Sequence, residues 1–307
     1  MRRALVACLF AAVALAQSVR GEEDPREAEQ QFRFLLSRGD ELRAQNDQFN
    51  ARTPPAVIER WKAQMRRLDG DYQHFLNDHS RHARAMVAYG GLLDDQDREH
   101  EAMQQWEKAI AADPHEAYAY NDLANHYGHN GQAEKALRYY QKAIDLAPTE
   151  PIFRFNWATT CQLFRNESLK VYGWNKDEIF RHCLEQFRSA RDLAPQDFDL
   201  SSAYAETFYQ MPTPDWPEAY NAWQFCLHQP LDDRNRQFVC ANLARVCIRL
   251  GRYDEARQWE SNLSTSEQES VRRAIERKIA ELTKPASPPT ATNSAPIPAP
   301  EAGTKPQ

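Results

Sequence analysis

Between Ala83 and Leu263, apolar residues recur with a helical rhythm that is interrupted at short intervals by turn formers. The stretch Ala117 to Pro148 shows the pattern most clearly. Tyr120, Leu123, Ala124 and Tyr127 follow the i, i+3, i+4, i+7 spacing that puts side chains on one face of a 3.6-residue helix. A turn is expected at His129–Gln132, after which Ala136, Leu137, Tyr140, Ala143 and Ile144 build a second apolar face. Pro148 closes the unit, because the residue before a proline is driven out of helical geometry. Small residues at Ala124, Ala136 and Ala143 let the two backbones approach, and the tyrosines fill the remaining space.

The same grammar repeats. Pro114 lies 148 − 114 = 34 residues earlier, preceded by Ala102, Trp106 and Ala109, with Met86, Tyr89, Gly90 and Leu93 on the helix before. Pro195 follows Cys183, Phe187 and Ala190, with Trp157, Ala158 and Cys161 on the earlier helix; this unit spans 195 − 148 = 47 residues and so holds an insertion of 47 − 34 = 13. A fourth unit carries Tyr204, Ala205 and Phe208, then Ala219, Trp223, Cys226 and Pro230. A fifth carries Leu243, Ala244 and Cys247, then Gly251, Ala256 and Trp259. Tyr120, Leu123, Ala124 (in place of Gly), Tyr127, Ala136, Tyr140 and Pro148 give the chain a register that resembles the tetratricopeptide repeat (TPR). That resemblance implies an all-α fold, a right-handed α-solenoid of about five to six helix-turn-helix repeats with capping helices at both ends. The repeats fall at about 83–116, 117–150, 151–197, 198–233 and 237–264, inside a solenoid expected over 81–264.

Outside the array the pattern changes. Arg2 and Arg3 precede an apolar run, Ala4–Ala16, that ends in Ala14-Leu15-Ala16; residues 1–20 are expected to be a signal peptide cut after Ala16. The run is too short for an ordinary transmembrane helix, and only four residues precede the Leu5-Val6-Ala7-Cys8 tetrad, which argues against a lipid anchor at Cys8. The expectation is an exported, periplasmic or secreted protein without a membrane span. Residues 22–80 read as two helices, the first with Phe32, Leu35, Leu36 and Leu42 and the second with Ile58, Trp61, Met65, Leu68, Tyr72, Phe75 and Leu76. Leu68, Tyr72 and Phe75 stand one period before Ala102, Trp106 and Ala109, as in a degenerate leading repeat. Residues 265–283 read as a capping helix striped by Val271, Ile275, Ile279 and Leu282, and 284–307 as a disordered Pro/Ala/Thr-rich tail.

Charge and motifs narrow the function. Loss of Arg2 and Arg3 moves the formal charge from −6 to −6 − 2 = −8, and no basic block is present, which disfavours nucleic acid. No Ser-His-Asp order, HExxH, Walker loop or dinucleotide turn appears, so no catalytic residue and no cofactor are assigned. His126 and His129 have ligand-like spacing, with Asp94 and Asp95 the nearest additions, but no convincing metal set results. Five cysteines follow Cys8, namely Cys161, Cys183, Cys226, Cys240 and Cys247, all where the repeat expects buried small residues; Cys161 with Cys183 and Cys226 with Cys240 lie on helices expected to pack together.

The expected function is a non-enzymatic protein–protein interaction scaffold or adaptor. By the repeat register, first helices line the groove, which points to Tyr118, Asn121, Asn125 and His129, with Phe155, Arg245 and Arg249 in later repeats. Amides one turn apart suit an extended peptide, since each offers a donor and an acceptor. The inserted stretch 164–176 adds Tyr172 and Trp174, read either as exposed aromatics of the kind that anchor interfaces or as part of a helical extension that packs Val171 and Trp174 on the solenoid edge. The partner is an unidentified protein or peptide. The alternatives are a structural homo-oligomer built through the N-terminal helices and an accessory subunit of an envelope enzyme complex.

Overall fold

The structure, a computed structural model, describes residues 25–264 and 268–284. The regular elements there are helices: α1 (Pro25–Asp47), α2 (Pro55–Asp78), α3 (Ala83–Asp94), α4 (Glu99–Ala112), α5 (Ala117–His129), α6 (Ala133–Leu146), α7 (Pro151–Leu163), α8 (Arg165–Tyr172), α9 (Lys176–Leu193), α10 (Phe198–Thr207), α11 (Trp216–Leu227), α12 (Asp233–Arg249), α13 (Tyr253–Glu260) and α14 (Glu269–Thr283). The signal segment expected over 1–20 and the tail beyond Lys284 lie outside the described residues. The chain divides into two compact units between Asp215 and Trp216, within the stretch 198–233 read as the fourth repeat.

In the first unit α1 pairs with α2, α3 with α4, α5 with α6 and α7 with α9, and each pair packs on the next through α2–α3, α4–α5, α6–α7 and α9–α10. The sequence dictates this through small residues at the pair crossings. Ala102, Ala124, Ala136, Ala158, Cys183 and Ala205 are fully buried there, so the helix backbones come close. Trp106, Tyr140 and Phe187 then fill the space beside them. Gly90 is the tightest point: a Cβ on it would lie 2.3 Å from Trp106 Nε1. The turn between α5 and α6 falls where expected, and Gly131 takes its left-handed residue at φ 73°.

Leu68, Tyr72 and Phe75 are buried, Tyr72 stacks on Tyr89 at 5.6 Å, and Trp61 Nε1 donates to the Leu42 carbonyl at 2.8 Å. In the second unit α11, α12 and α13 pack in sequence and α14 covers α12 and α13. Cys240, Ala244, Cys247, Ala256 and Leu263 meet Ile275 and Ile279 in one core, with Val271 at its edge. Leu282, expected on the same stripe, is 48% exposed, because the stripe outruns the helices it covers.

Candidate functional site

The insertion in the third unit takes the second of its two readings, a helical extension packed on the repeat. Residues 165–172 form the short helix α8, framed by Phe164 and by left-handed Gly173 at φ 69°. Tyr172 and Trp174 are half-buried. Their rings stack at 4.3 Å, Trp174 stacks on His182 at 4.1 Å, and Trp157 Nε1 donates to the Tyr172 hydroxyl at 2.8 Å. Burial raises the Tyr172 phenol above its usual range. The insertion thus folds back on the α7–α9 pair, held by polar and aromatic contacts at both ends. Asn175 starts α9 with a reciprocal capping box to Glu178, which fixes where the insertion ends.

The first-helix face of α5 and α7 carries a connected polar ladder. Asn156 Nδ2 donates to Asn121 Oδ1 at 3.0 Å, and Asn121 Nδ2 donates to Asp122 Oδ1 at 3.0 Å. Asn121 is 5% exposed, so the amide expected to meet a partner is already engaged within the protein. Asn125 is half-buried and accepts from the Tyr140 hydroxyl at 2.6 Å. Tyr118 is exposed, donates to Glu150 Oε2 at 2.8 Å and meets Phe153 edge-on at 5.0 Å. His129 is exposed, and Phe155 packs on Phe187 at 5.7 Å. Farther along, Gln162 Nε2 donates to Thr207 Oγ1 at 3.0 Å.

Electrostatics mark one residue that the sequence reading passed over. Burial pushes the Asp122 carboxyl up to about 7; Asn121 draws it back, while Asp94 and Glu116 raise it further. Asp94 is itself raised by burial and by its neighbours Asp95 and Glu99, and Glu206 is raised by burial. Asp95 accepts from Arg43 Nε at 2.6 Å. The signal that could have found Asp122 and Asn156 is arithmetic: 156 − 122 = 34, one repeat period, so both hold the same register position.

Arg245 and Arg249 belong to the second unit, apart from the unit that holds the other candidates. Arg245 donates to Asn242 Oδ1 at 3.1 Å, and the Arg249 guanidinium lies 5.5 Å over the Trp216 ring. Among the described residues, no group of three or more His, Cys, Asp or Glu is placed to hold a metal ion. His126 instead approaches Glu99, at 3.9 Å.

Residues 117–150 match the family model of the tetratricopeptide repeat. Three solved structures share the fold. YrrB, described as a TPR protein with an unusual peptide-binding site, aligns at a TM-score of 0.53 and 12% identity over 67% of this chain and 97% of its own. PilF of Pseudomonas aeruginosa aligns at 0.55 and 12% identity over 82% and 99% of the two chains. PilW, described as a widely conserved type IV pilus biogenesis factor, aligns at 0.51 and 13% identity over 72% and 94%. No curated protein matches by sequence. One repeat of the chain thus matches the tetratricopeptide-repeat model, and the chain shares the helical fold of these three structures.

Proposed function

We propose that this protein is a non-catalytic scaffold or adaptor that binds an extended segment of a partner protein across the first-helix face of α5 and α7. The observation that carries this reading is the polar ladder there. Asn121, Asn125 and Asn156 are held in fixed rotamers before any partner arrives, beside the exposed Tyr118 and His129. A pre-ordered row of polar groups lowers the ordering cost of binding. Asn121 acts as the buried brace, and Tyr118, Asn125 and His129 make the contacts. The peptide-binding site named for YrrB supports the same use of the fold. Export to the cell envelope is part of the proposal, resting on the pattern of residues 1–20 and on the likeness to PilW.

The test is a cross-linking pulldown from the native envelope fraction with wild type, Asn125→Ala/His129→Ala and Tyr172→Ala/Trp174→Ala. A protein recovered with wild type and lost only with the first variant is the expected result. Loss only with the second variant would move the site to the insertion, and no specific recovery would sink the adaptor reading.

A second reading has one observation of its own. Phe34 on α1 is 61% exposed beside an open groove of about 660 Å³ whose lining includes Arg38, Arg67, Asp71 and His74. Self-association through this face is the runner-up function. Light scattering of the purified chain decides it, since a monomer at working concentration removes the reading.

A further inference from the structure

Two nucleophilic side chains in the third helix pair have no part in the binding face. Cys161 on α7 and Cys183 on α9 are both fully buried and carry free thiols, on two helices that pack directly together. The Cys183 thiol also donates to the Ala158 carbonyl at 3.5 Å. The insertion lies against this pair. Ser168, fully buried on α8, donates to the Cys161 carbonyl at 3.3 Å and to the Phe164 carbonyl at 2.9 Å. Tyr172 closes the other end, tied to Trp157 and stacked on Trp174. Both junctions of α8 are breaks in helical geometry, at Phe164 (φ −109°, ψ 56°) and at left-handed Gly173. A short helix with a break at each end can swing away without unfolding the pair beneath it.

We propose that Cys161 and Cys183 are a covalent modification site, an oxidisable dithiol that forms a disulfide between α7 and α9 and is guarded by α8. The oxidant is a disulfide, either a small molecule or a thiol–disulfide oxidoreductase. With α8 open, one cysteine gives up its proton and attacks the oxidant's disulfide, forming a mixed disulfide and expelling one thiolate. The second cysteine then attacks the protein sulfur of that mixed disulfide and expels the other thiolate. Two protein thiols are oxidised to one disulfide, the oxidant disulfide is reduced to two thiols, and the two protons end on those leaving groups. While α8 is closed, burial and the neighbouring thiol hold the Cys183 thiol above its usual pKa, so little attacking thiolate exists. The guard therefore sets the rate. The new bond would close a loop of 183 − 161 = 22 residues within one repeat, tightening that repeat without joining it to others.

The test uses the full chain and oxidised glutathione as the probe. Aliquots are blocked with an alkylating reagent and digested without reductant, and the peptides are identified by mass. The expected product is a peptide bridging Cys161 and Cys183, formed by protein whose circular dichroism is native. In Cys161→Ala, glutathione should remain on Cys183 as a mixed disulfide. Tyr172→Ala, which removes the guard's anchor, should speed bridging by roughly tenfold, the effect of a modest rise in the open population. Tyr172→Phe, which loses only the bond to Trp157, should fall between. Failure of the native wild type to bridge, or bridging to Cys226, Cys240 or Cys247 instead, would overturn the proposal. Equal rates in wild type and both Tyr172 variants would overturn the role of α8.

Discussion

Gly90 and Gly128 sit in first helices of neighbouring repeats, yet substitution should act on them in opposite directions. At Gly90 an added methyl meets the Trp106 ring at 2.3 Å and 2.6 Å, and that ring is held by its bond to the Val87 carbonyl at 3.3 Å. Gly90→Ala is expected to cost about 1–3 kcal/mol through overpacking. At Gly128 the methyl meets only Ala136 Cβ, at an ordinary 3.8 Å, so Gly128→Ala should gain ~0.5–1 kcal/mol from helix propensity. Urea denaturation of the two variants checks both signs. Asp122 gives a third prediction. Its folded pKa of about 7 lies above the unfolded value of about 3.9, so the folded state binds more protons between those values. Its contribution therefore falls as pH rises through that window and levels off above it. Asp122→Asn should flatten this part of the profile, measured as melting temperature from pH 4 to pH 8. The buried positions were legible at this scale, because Ala102, Ala124 and Ala136 stand where the period puts them. Asp122 was not, because a face read by helical spacing alone skips the position beside its centre, and burial rather than pattern gives that carboxyl its character.

At the scale of one element, α8 separates what periodicity can say from what it cannot. The surplus of 13 residues was readable by counting from proline to proline. The helix was readable only as one of two alternatives, because two turns hold too few apolar positions to show a period and its stability comes from the surface it covers. Its stops are local and testable. Gly173 lies in the left-handed region with nothing within 4 Å of an added Cβ, so Gly173→Ala should cost about 1 kcal/mol through backbone strain alone. Asn175→Ala, which removes the capping box, should cost a similar ~1 kcal/mol. Hydrogen exchange should show the first change loosening residues 165–172 and the second loosening the start of α9.

For the whole molecule, the division between Asp215 and Trp216 matters most. In a repeat array each helix pair is stabilised chiefly by its neighbours, so a weak step along the chain separates units that unfold on their own schedules. Exchange monitored against denaturant should therefore lose protection in residues 216–264 at a different concentration from residues 83–193. The repeat register puts this boundary inside the unit 198–233, since the strength of a step depends on summed packing that no local pattern displays. Within the first unit, the bonds Asn156–Asn121 and Gln162–Thr207 each reach from one repeat to the next, and Tyr118–Glu150 ties α5 to the residue that caps α7. Mechanically they act as stitches along one side of a spring. Pulled end to end, this unit should resist uncoiling first at these stitches and lengthen elastically only after they part, so the row that orders the proposed binding face also sets its stiffness.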